Sequence, residues 1–113
     1  MAISLSGGVD SNLIFSIMKE KIGNKFKTYS VKFEDGKNID ANVAKYNSQV
    51  HSFENIQVNV THNDFIDSIE KIVEIMEEPV GNQNSIANYI LSQKITEKVL
   101  FTGDGGDEIF TGY

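Results

Sequence analysis

Residues 6–11, Ser-Gly-Gly-Val-Asp-Ser, form a glycine-rich loop between a short apolar run and a stretch with helical periodicity. Paired glycines let backbone approach a ligand with no Cβ in the way. The first-turn N–H groups of the following helix favour an anion, and Ser6 and Ser11 add hydroxyl donors. Asp10 would repel a bare phosphate, but it fits if it binds a divalent cation that the phosphates share. The loop therefore predicts a metal-complexed polyphosphate site. The alternative is a glycine turn in which Asp10 or Ser11 merely caps the helix.

A second glycine–acid cluster, Gly-Asp-Gly-Gly-Asp-Glu, occupies residues 103–108. Its spacing does not match a calcium-binding loop. Asp107 and Glu108 also suit the first turn of a helix, and that role is compatible with metal binding. Asp10 and Asp107 could share Mg²⁺, which usually takes only one or two protein carboxylates beside phosphate oxygens. The lysine of the G-x-x-x-x-G-K-[ST] loop is absent, so ordinary γ-phosphoryl transfer is not expected.

The elements that must position these loops alternate between strand and helix. We predict strands over residues 2–5, 27–33, 53–60 and 98–102, and helices over 11–22, 39–50, from 63 or 64 to Pro79, and over 86–95, with a polar loop over 81–85. This order predicts an α/β fold, an open parallel sheet with helices on both faces. Because a nucleotide loop belongs at a switch point, we expect the strand order 3-2-1-4, with both loops at one sheet edge.

Hydrophobic periodicity predicts which side of each helix is buried. We expect an apolar stripe on the first helix, formed by Leu13, Ile14, Ile17, Met18 and Ile22, and another on the second, formed by Ile39, Val43, Tyr46 and Val50. We expect Met18 and Met76 to fill the core. We expect His51 and His62 to lie at the surface or to cap helices.

Composition excludes several classes of function. The chain has 113 residues and no cysteine, which excludes disulfides, thiolate metal sites and a cysteine nucleophile within it. A net charge of −6 argues against nucleic acid as a partner. No apolar run is long enough for a membrane helix, and no signal peptide precedes the first strand, so we expect no membrane partner and a cytoplasmic location. We expect residues 1–113 to form a single domain that is part of a longer protein.

Several motifs together resemble a known family. Residues 6–11 resemble the S-G-G-x-D-S pyrophosphate loop of the N-type ATP pyrophosphatases, the PP-loop superfamily. Residues 99–113, V-L-F-T-G-D-G-G-D-E-I-F-T-G-Y, resemble V-L-L-S-G-E-G-A-D-E-L-F-G-G-Y of the glutamine-dependent asparagine synthetases. Residues 29–34 and 78–92 resemble two further segments of that family. The resemblance covers nearly the whole chain in order, and it implies an adenine nucleotide alpha hydrolase-like fold.

The resemblance implies a reaction. Mg-ATP adenylates a carboxylate and releases pyrophosphate, and ammonia then displaces AMP to give an amide. The cofactors implied are ATP and Mg²⁺, and aspartate is the small carboxylate substrate suggested by analogy. In the family the ammonia comes from glutamine, hydrolysed by a separate glutaminase domain that is not in this chain. We therefore expect an ATP-dependent amide-forming ligase core, with this chain alone inactive.

The resemblance also implies roles for individual residues. The pyrophosphate would be held by Ser6, Gly7, Gly8 and Ser11; Mg²⁺ by Asp10 and Asp107; the adenine by the backbone of Val31; and the rest of the nucleotide by Thr102 and Gly103. Asp104 and Asp107 are the catalytic candidates. Asp104 stands where the family usually has Glu, one methylene shorter, and residues 82–87 also depart from the family pattern, so the acceptor need not be aspartate.

Two other functions stay open. One is another PP-loop enzyme, such as an RNA-modifying one, which the acidic charge and the 103–108 cluster disfavour. The other is a nucleotide-binding module without chemistry, which would not need two metal carboxylates. The sequence does not decide the oligomeric state, and a homodimer is one alternative.

Overall fold

The computed structural model describes residues 1–79 and 82–112, and it confirms an α/β fold built on one parallel sheet. Gly81, from the predicted polar loop, and Tyr113, from the last motif, lie outside the described residues. The strands are β1 (Ala2–Ser4), β2 (Lys27–Phe33), β3 (Asn55–Val60) and β4 (Leu100–Phe101), and the helices are α1 (Val9–Ile22), α2 (Ile39–Val50), α3 (His62–Met76), α4 (Gln83–Lys94) and α5 (Gly106–Phe110).

The strand order is β3-β2-β1-β4, as predicted. β1 pairs in parallel with β2 on one side and with β4 on the other, where Ala2 lies opposite Leu100 and Ile3 opposite Phe101. The carboxyl ends of β1 and β4 therefore meet at the same sheet edge. The loops that follow these two strands are neighbours, as the sequence predicted.

Helices cover both faces of the sheet, because alternate residues of each strand point to opposite sides. One core lies between the sheet and α1 with α2, and the other between the sheet and α3 with α4. The first contains Ile3, Leu5, Phe15, Met18, Phe26, Ala44 and Phe53, and the second contains Ala2, Tyr29, Val58, Val60, Ile72, Ile86, Ile90 and Leu91.

The predicted stripe of α1 is correct only in part. Met18 is buried, and Ile14 and Ile22 pack against the core, but Leu13 and Ile17 are exposed. Ser11 and Phe15 are buried as well.

The buried face is turned from the predicted stripe for two reasons. The ring of Phe15 packs edge-on against Phe26 and Phe53 in the aromatic part of the core. The small side chain of Ser11 is turned inward, where its hydroxyl contacts Ser6 and Gly8 of the same loop.

The predicted stripe of α2 was also wrong in its orientation. Ile39, Tyr46 and Val50 are exposed, whereas the buried residues are Ala41, Ala44 and Ser48. Small side chains let the helix approach the sheet closely, where the Ser48 hydroxyl lies 3.2 Å from that of Thr28. Side-chain size, rather than hydrophobicity, decides which face of α2 is buried.

Several boundary predictions need correction. β1 ends at Ser4 instead of 5, β3 begins at Asn55 instead of 53, and β4 is shorter than the predicted 98–102. α1 begins at Val9 instead of 11, α3 ends at Met76 before Pro79, and α4 ends at Lys94 instead of 95.

α3 begins at His62 instead of 63 or 64, because Thr61 caps it in a reciprocal capping box with Asp64. α4 begins at Gln83 instead of 86, with the Asn82 side chain as its cap. Met18 is buried as predicted, but Met76 is exposed at the end of α3. His51 and His62 lie exposed at helix ends, as predicted.

None of the helices in residues 1–79 and 82–112 combines the length and the apolar character needed to cross a bilayer.

A charged cluster connects the start of β2 with the segment before β4. Glu97 accepts from Lys27 Nζ at 2.7 Å and from the Tyr29 hydroxyl at 2.9 Å. The Glu97 side chain is only 12% exposed. The Lys27 ammonium, followed by the Tyr29 hydroxyl, lowers the pKa of Glu97 from its usual 4.5 to about 2.

Glu97→Gln is expected to lower the free energy of unfolding at neutral pH. Because the pKa of Glu97 is lower in the folded chain, its stabilising contribution is present above about pH 4.5 and is lost as the pH falls towards 2. Urea unfolding should therefore show a difference between the wild-type and variant chains that shrinks between pH 4.5 and 2. Glu70→Gln, on the exposed side of α3, is the matched control. A difference that stays constant over this range would contradict the assignment.

Candidate functional site

A cavity of about 380 Å³ lies at the carboxyl ends of β1, β2 and β4. This volume is within the range typical of small-molecule sites. Its walls come from both glycine-rich loops, the end of β2, the first turn of α2 and the start of α4. The lining residues are Ser4, Leu5, Ser6, Gly8, Asp10, Ser11, Ser30, Val31, Phe33, Asp40, Ala41, Asn84, Ala87, Asn88, Thr102, Gly103, Asp104 and Asp107.

The 6–11 loop is organised around the buried hydroxyl of Ser11. This hydroxyl donates to Gly8 O at 3.2 Å, accepts from the Ser6 N–H at 3.2 Å, and lies 2.9 Å from the Ser6 hydroxyl. The Gly8 N–H in turn donates to Ser6 Oγ at 3.1 Å. The N-cap of α1 is Gly8, with no side-chain cap, so neither Asp10 nor Ser11 plays the simple capping role that was the alternative.

The second loop packs directly against the start of α1. A Cβ added to Gly103 would lie 2.8 Å from the Ser11 nitrogen, and one added to Gly106 would lie 2.5 Å from Cγ of Asp10. Gly105 has φ +87°, a left-handed conformation that favours glycine, and it is the N-cap of α5. Glycines are required here because the two loops are in contact.

The charge of the cavity is entirely acidic. Asp10, Asp40, Asp104 and Asp107 line it, and no Lys, Arg or His is among the lining residues of the described part of the chain. Within residues 1–79 and 82–112, no three metal-binding side chains converge on a common point. Asp10 and Asp107 nonetheless fit a hard cation such as Mg²⁺, which takes oxygen ligands and few protein carboxylates.

All the predicted site residues except Gly7 line this cavity. These include the Mg²⁺ candidates Asp10 and Asp107, the adenine candidate Val31, and the acceptor candidate Asp104. Gly7 instead faces α2, since a Cβ there would lie 2.5 Å from Oδ1 of Asp40 and 3.4 Å from Cβ of Val43. Its side of the loop is a packing surface.

No individual site residue was predicted on α4 from the sequence, although residues 82–87 depart from the family pattern. The structure places Asn84, Ala87 and Asn88 of α4, at helical spacing, in one wall of the cavity. Asp40 was not predicted either, because an acid in the first turn of a helix is an ordinary feature. Ser30 and Phe33 also line the cavity, and they could have been inferred from Val31, because all three lie near the end of β2.

Comparisons with known proteins agree with this architecture. The asparagine synthase family model matches residues 1–113. Asparagine synthetase [glutamine-hydrolyzing] 1 of Bacillus subtilis (strain 168) is 32% identical over 111 residues, covering 96% of this chain and 17% of that protein. The chain thus spans about a sixth of the length of this curated relative.

Two solved structures share the fold. Glutamine-dependent NAD+ synthetase from Acinetobacter baumannii, in complex with ADP, has a TM-score of 0.68 at 18% identity, over 98% of this chain and 23% of that one. A predicted subunit of tRNA methyltransferase from Methanocaldococcus jannaschii has a TM-score of 0.60 at 17% identity, over 90% of this chain and 51% of that one. At these identities the similarity concerns the fold alone. Because the family model matches the chain from end to end, the chain belongs to the asparagine synthase family.

Proposed function

We propose that this chain is the nucleotide-binding core of an ATP-dependent ligase that forms an amide from a small carboxylate and ammonia. The observation that carries the proposal is the contact between the two glycine-rich loops. The 6–11 loop and the 103–107 segment meet at one cavity, so closely that Gly103 and Gly106 have no room for a Cβ. Hydrogen-bond donors for phosphate and carboxylates for a metal ion would thereby share one site.

In this proposal the triphosphate lies along the 6–11 loop. The first turn of α1 offers N–H donors, and Ser11 keeps the loop in shape. The Ser6 hydroxyl and the Gly8 N–H, which contact each other at 3.1 Å, would turn to the phosphates when the nucleotide binds. The backbone of Val31 contacts the adenine at the end of β2, and Thr102 with Gly103 contacts the nucleotide from the β4 side. Gly7 packs closely against α2, which holds this part of the loop in place, and its backbone would lie along the pyrophosphate.

Asp10 and Asp107 would hold Mg²⁺. When bound, Mg²⁺ would neutralise phosphate charge and so make pyrophosphate a better leaving group. The acidity of the cavity gives this requirement its physical basis. Four aspartates line the cavity, and among the residues that the structure describes no Lys, Arg or His offsets their charge. They would repel metal-free ATP, so a nucleotide would bind well only together with its cation.

The proposed reaction has two steps. A carboxylate oxygen of the acceptor attacks the α-phosphorus and pyrophosphate leaves; ammonia then attacks the acyl carbon, AMP leaves and a proton is lost. Aspartate is the proposed acceptor, since its ammonium group could pair with the exposed Asp104. Asn84 and Asn88 supply neutral polar groups on the α4 wall of the cavity. Ammonia would come from a glutaminase domain outside these residues.

The remaining predictions belong to the same proposal. Residues 1–113 would be part of the synthetase core of a longer, cytoplasmic protein, and homodimerisation is one alternative for its assembly. RNA modification is disfavoured because the net charge is −6 and the cavity is acidic. A non-catalytic nucleotide module is disfavoured because it would not need the two carboxylates, Asp10 and Asp107, that we propose as metal ligands.

Asp10→Asn is expected to affect Mg-ATP and metal-free ATP in opposite directions. Loss of a charge-assisted contact should weaken Mg-ATP binding by about 1–3 kcal/mol. The same change removes a negative charge that repels metal-free ATP, so binding in EDTA should not weaken. AMP, which carries no pyrophosphate, should be much less affected. Calorimetric titrations of the wild-type and variant chains with each ligand measure these differences.

Asp67→Asn is the matched control for this experiment. It makes the same change of charge on the exposed side of α3, away from the cavity. It should leave all three affinities as they are in the wild-type chain. Equal losses for Mg-ATP and AMP in Asp10→Asn would reject the metal role of Asp10.

We also expect the 113-residue chain to bind nucleotide without turning it over. No Lys, Arg or His in the described part lines the cavity to stabilise developing charge, and one missing donor of that kind costs about 10²–10³ in rate. Misplacement of the acceptor can cost about a further hundredfold. The assay is pyrophosphate release from ATP with ammonium and aspartate. Acceptor-dependent release at about 1 s⁻¹ or faster would show that the chain is a complete enzyme.

A further inference from the structure

Asn12 holds the carbonyl groups of the 6–11 loop without lining the cavity itself. Its Nδ2 donates to Ser6 O at 3.1 Å and to Gly8 O at 2.7 Å. These carbonyls lie on either side of Gly7, the loop residue that faces α2. One side chain therefore contacts two peptide groups in the loop proposed to bind pyrophosphate. At Gly8 O it shares the carbonyl with Ser11 Oγ, at 3.2 Å, and with its own backbone N–H, at 3.4 Å.

The orientation of the Asn12 amide is itself determined by a residue on another element. Nδ2 of Asn47, on α2, donates to Oδ1 of Asn12 at 2.8 Å. An amide that accepts from Asn47 through its oxygen must direct its NH₂ group to the loop carbonyls. The hydrogen bonds thus run in one direction, from Asn47 to Asn12 and from Asn12 to Ser6 and Gly8.

The consequence for a ligand follows from the geometry of the trans peptide. Its N–H points opposite to its C=O, so fixing the carbonyls of Ser6 and Gly8 also fixes the N–H groups of Gly7 and Val9. These are donors that an anion could use. If the carbonyls turned, both N–H groups would turn with them, and carbonyl oxygens would approach the phosphates.

We propose that Asn12 is a positioning residue for phosphate binding and that Asn47 selects its active amide orientation. This inference rests on the proposed nucleotide function. It assigns a positioning role to the middle of α2, whose first turn already lines the cavity with Asp40 and Ala41. The pair gives the loop its donor pattern before any ligand is bound.

Asn47→Asp is the test variant. A carboxylate cannot donate to Oδ1 of Asn12, and it attracts the NH₂ group instead, so the Asn12 amide reverses and presents oxygen to the two carbonyls. We expect Mg-ATP and Mg-pyrophosphate to bind about 3- to 10-fold more weakly, the scale of one net hydrogen bond. AMP affinity should stay as in the wild-type chain. Calorimetry measures all three ligands.

Three further variants separate positioning from other effects. Asn42→Asp adds the same charge at an exposed position of α2 and should change nothing. Asn47→Ala removes the donor without adding charge and should give a smaller loss of the same kind. In an Asn12→Ala background, Asn47→Asp should have no further effect, because its only route to the loop is gone. Urea unfolding of each sample measures whether it is folded.

The outcomes distinguish this inference from the proposed function. If the wild-type chain binds no Mg-ATP, the proposed function fails, and this inference fails with it. If the wild-type chain binds Mg-ATP and Asn47→Asp binds it equally well, only the positioning role is overturned. Equal weakening of AMP, or a full effect of Asn47→Asp without Asn12, would also overturn it. Should Asn47→Asp not fold, Asn47→Ala decides by the same criteria.

Discussion

The parallel pairing of β1 with β4 is the constraint on which the site depends. Because both strands end at the same edge, residues 6–11 and 103–107 must share the space just beyond it. Sharing that space brings backbone against backbone, and the contacts of Gly103 with Ser11 and of Gly106 with Asp10 are the result. The pattern of glycines is therefore a consequence of strand order. Any side chain at these two positions would separate the donors of one loop from the carboxylates of the other.

α2 has a larger part in the site than its plain sequence indicates. Its buried residues are small, so the helix lies close enough to the sheet for Asp40 to contact Gly7 and for Asn47 to contact Asn12. The helix supports the outer side of the 6–11 loop at two points. The same close approach places Asp40 and Ala41 in the cavity wall. A bulky apolar face, which the periodicity suggested, would have held the helix away from the loop.

The order of elements, the sheet topology and the two loops could all be predicted from local patterns and the switch-point rule. Alternation, glycine punctuation and acid placement are short-range signals, and they identified the cavity-lining residues Ser6, Asp10 and Asp107. Helix faces were predicted less well. In α1 and α2 the choice of buried side depends on the volume available at the sheet, as the exposure of Leu13 and the burial of Ala44 illustrate. The amide pair Asn12–Asn47 spans 35 residues, so no local pattern could reveal it.

The two halves of the site differ in local stability. β1 is an inner strand, with hydrogen-bonded neighbours on both sides, and its residues Ala2 and Ile3 are fully buried. β4 is a two-residue strand at the end of the sheet order, and its side chains are exposed. Local opening is easiest where few buried contacts resist it, so we expect amide hydrogens near β4 to exchange with solvent sooner than those of β1. A ligand that bridges both loops binds only the closed form, and by mass action it slows exchange at β4 far more than at β1.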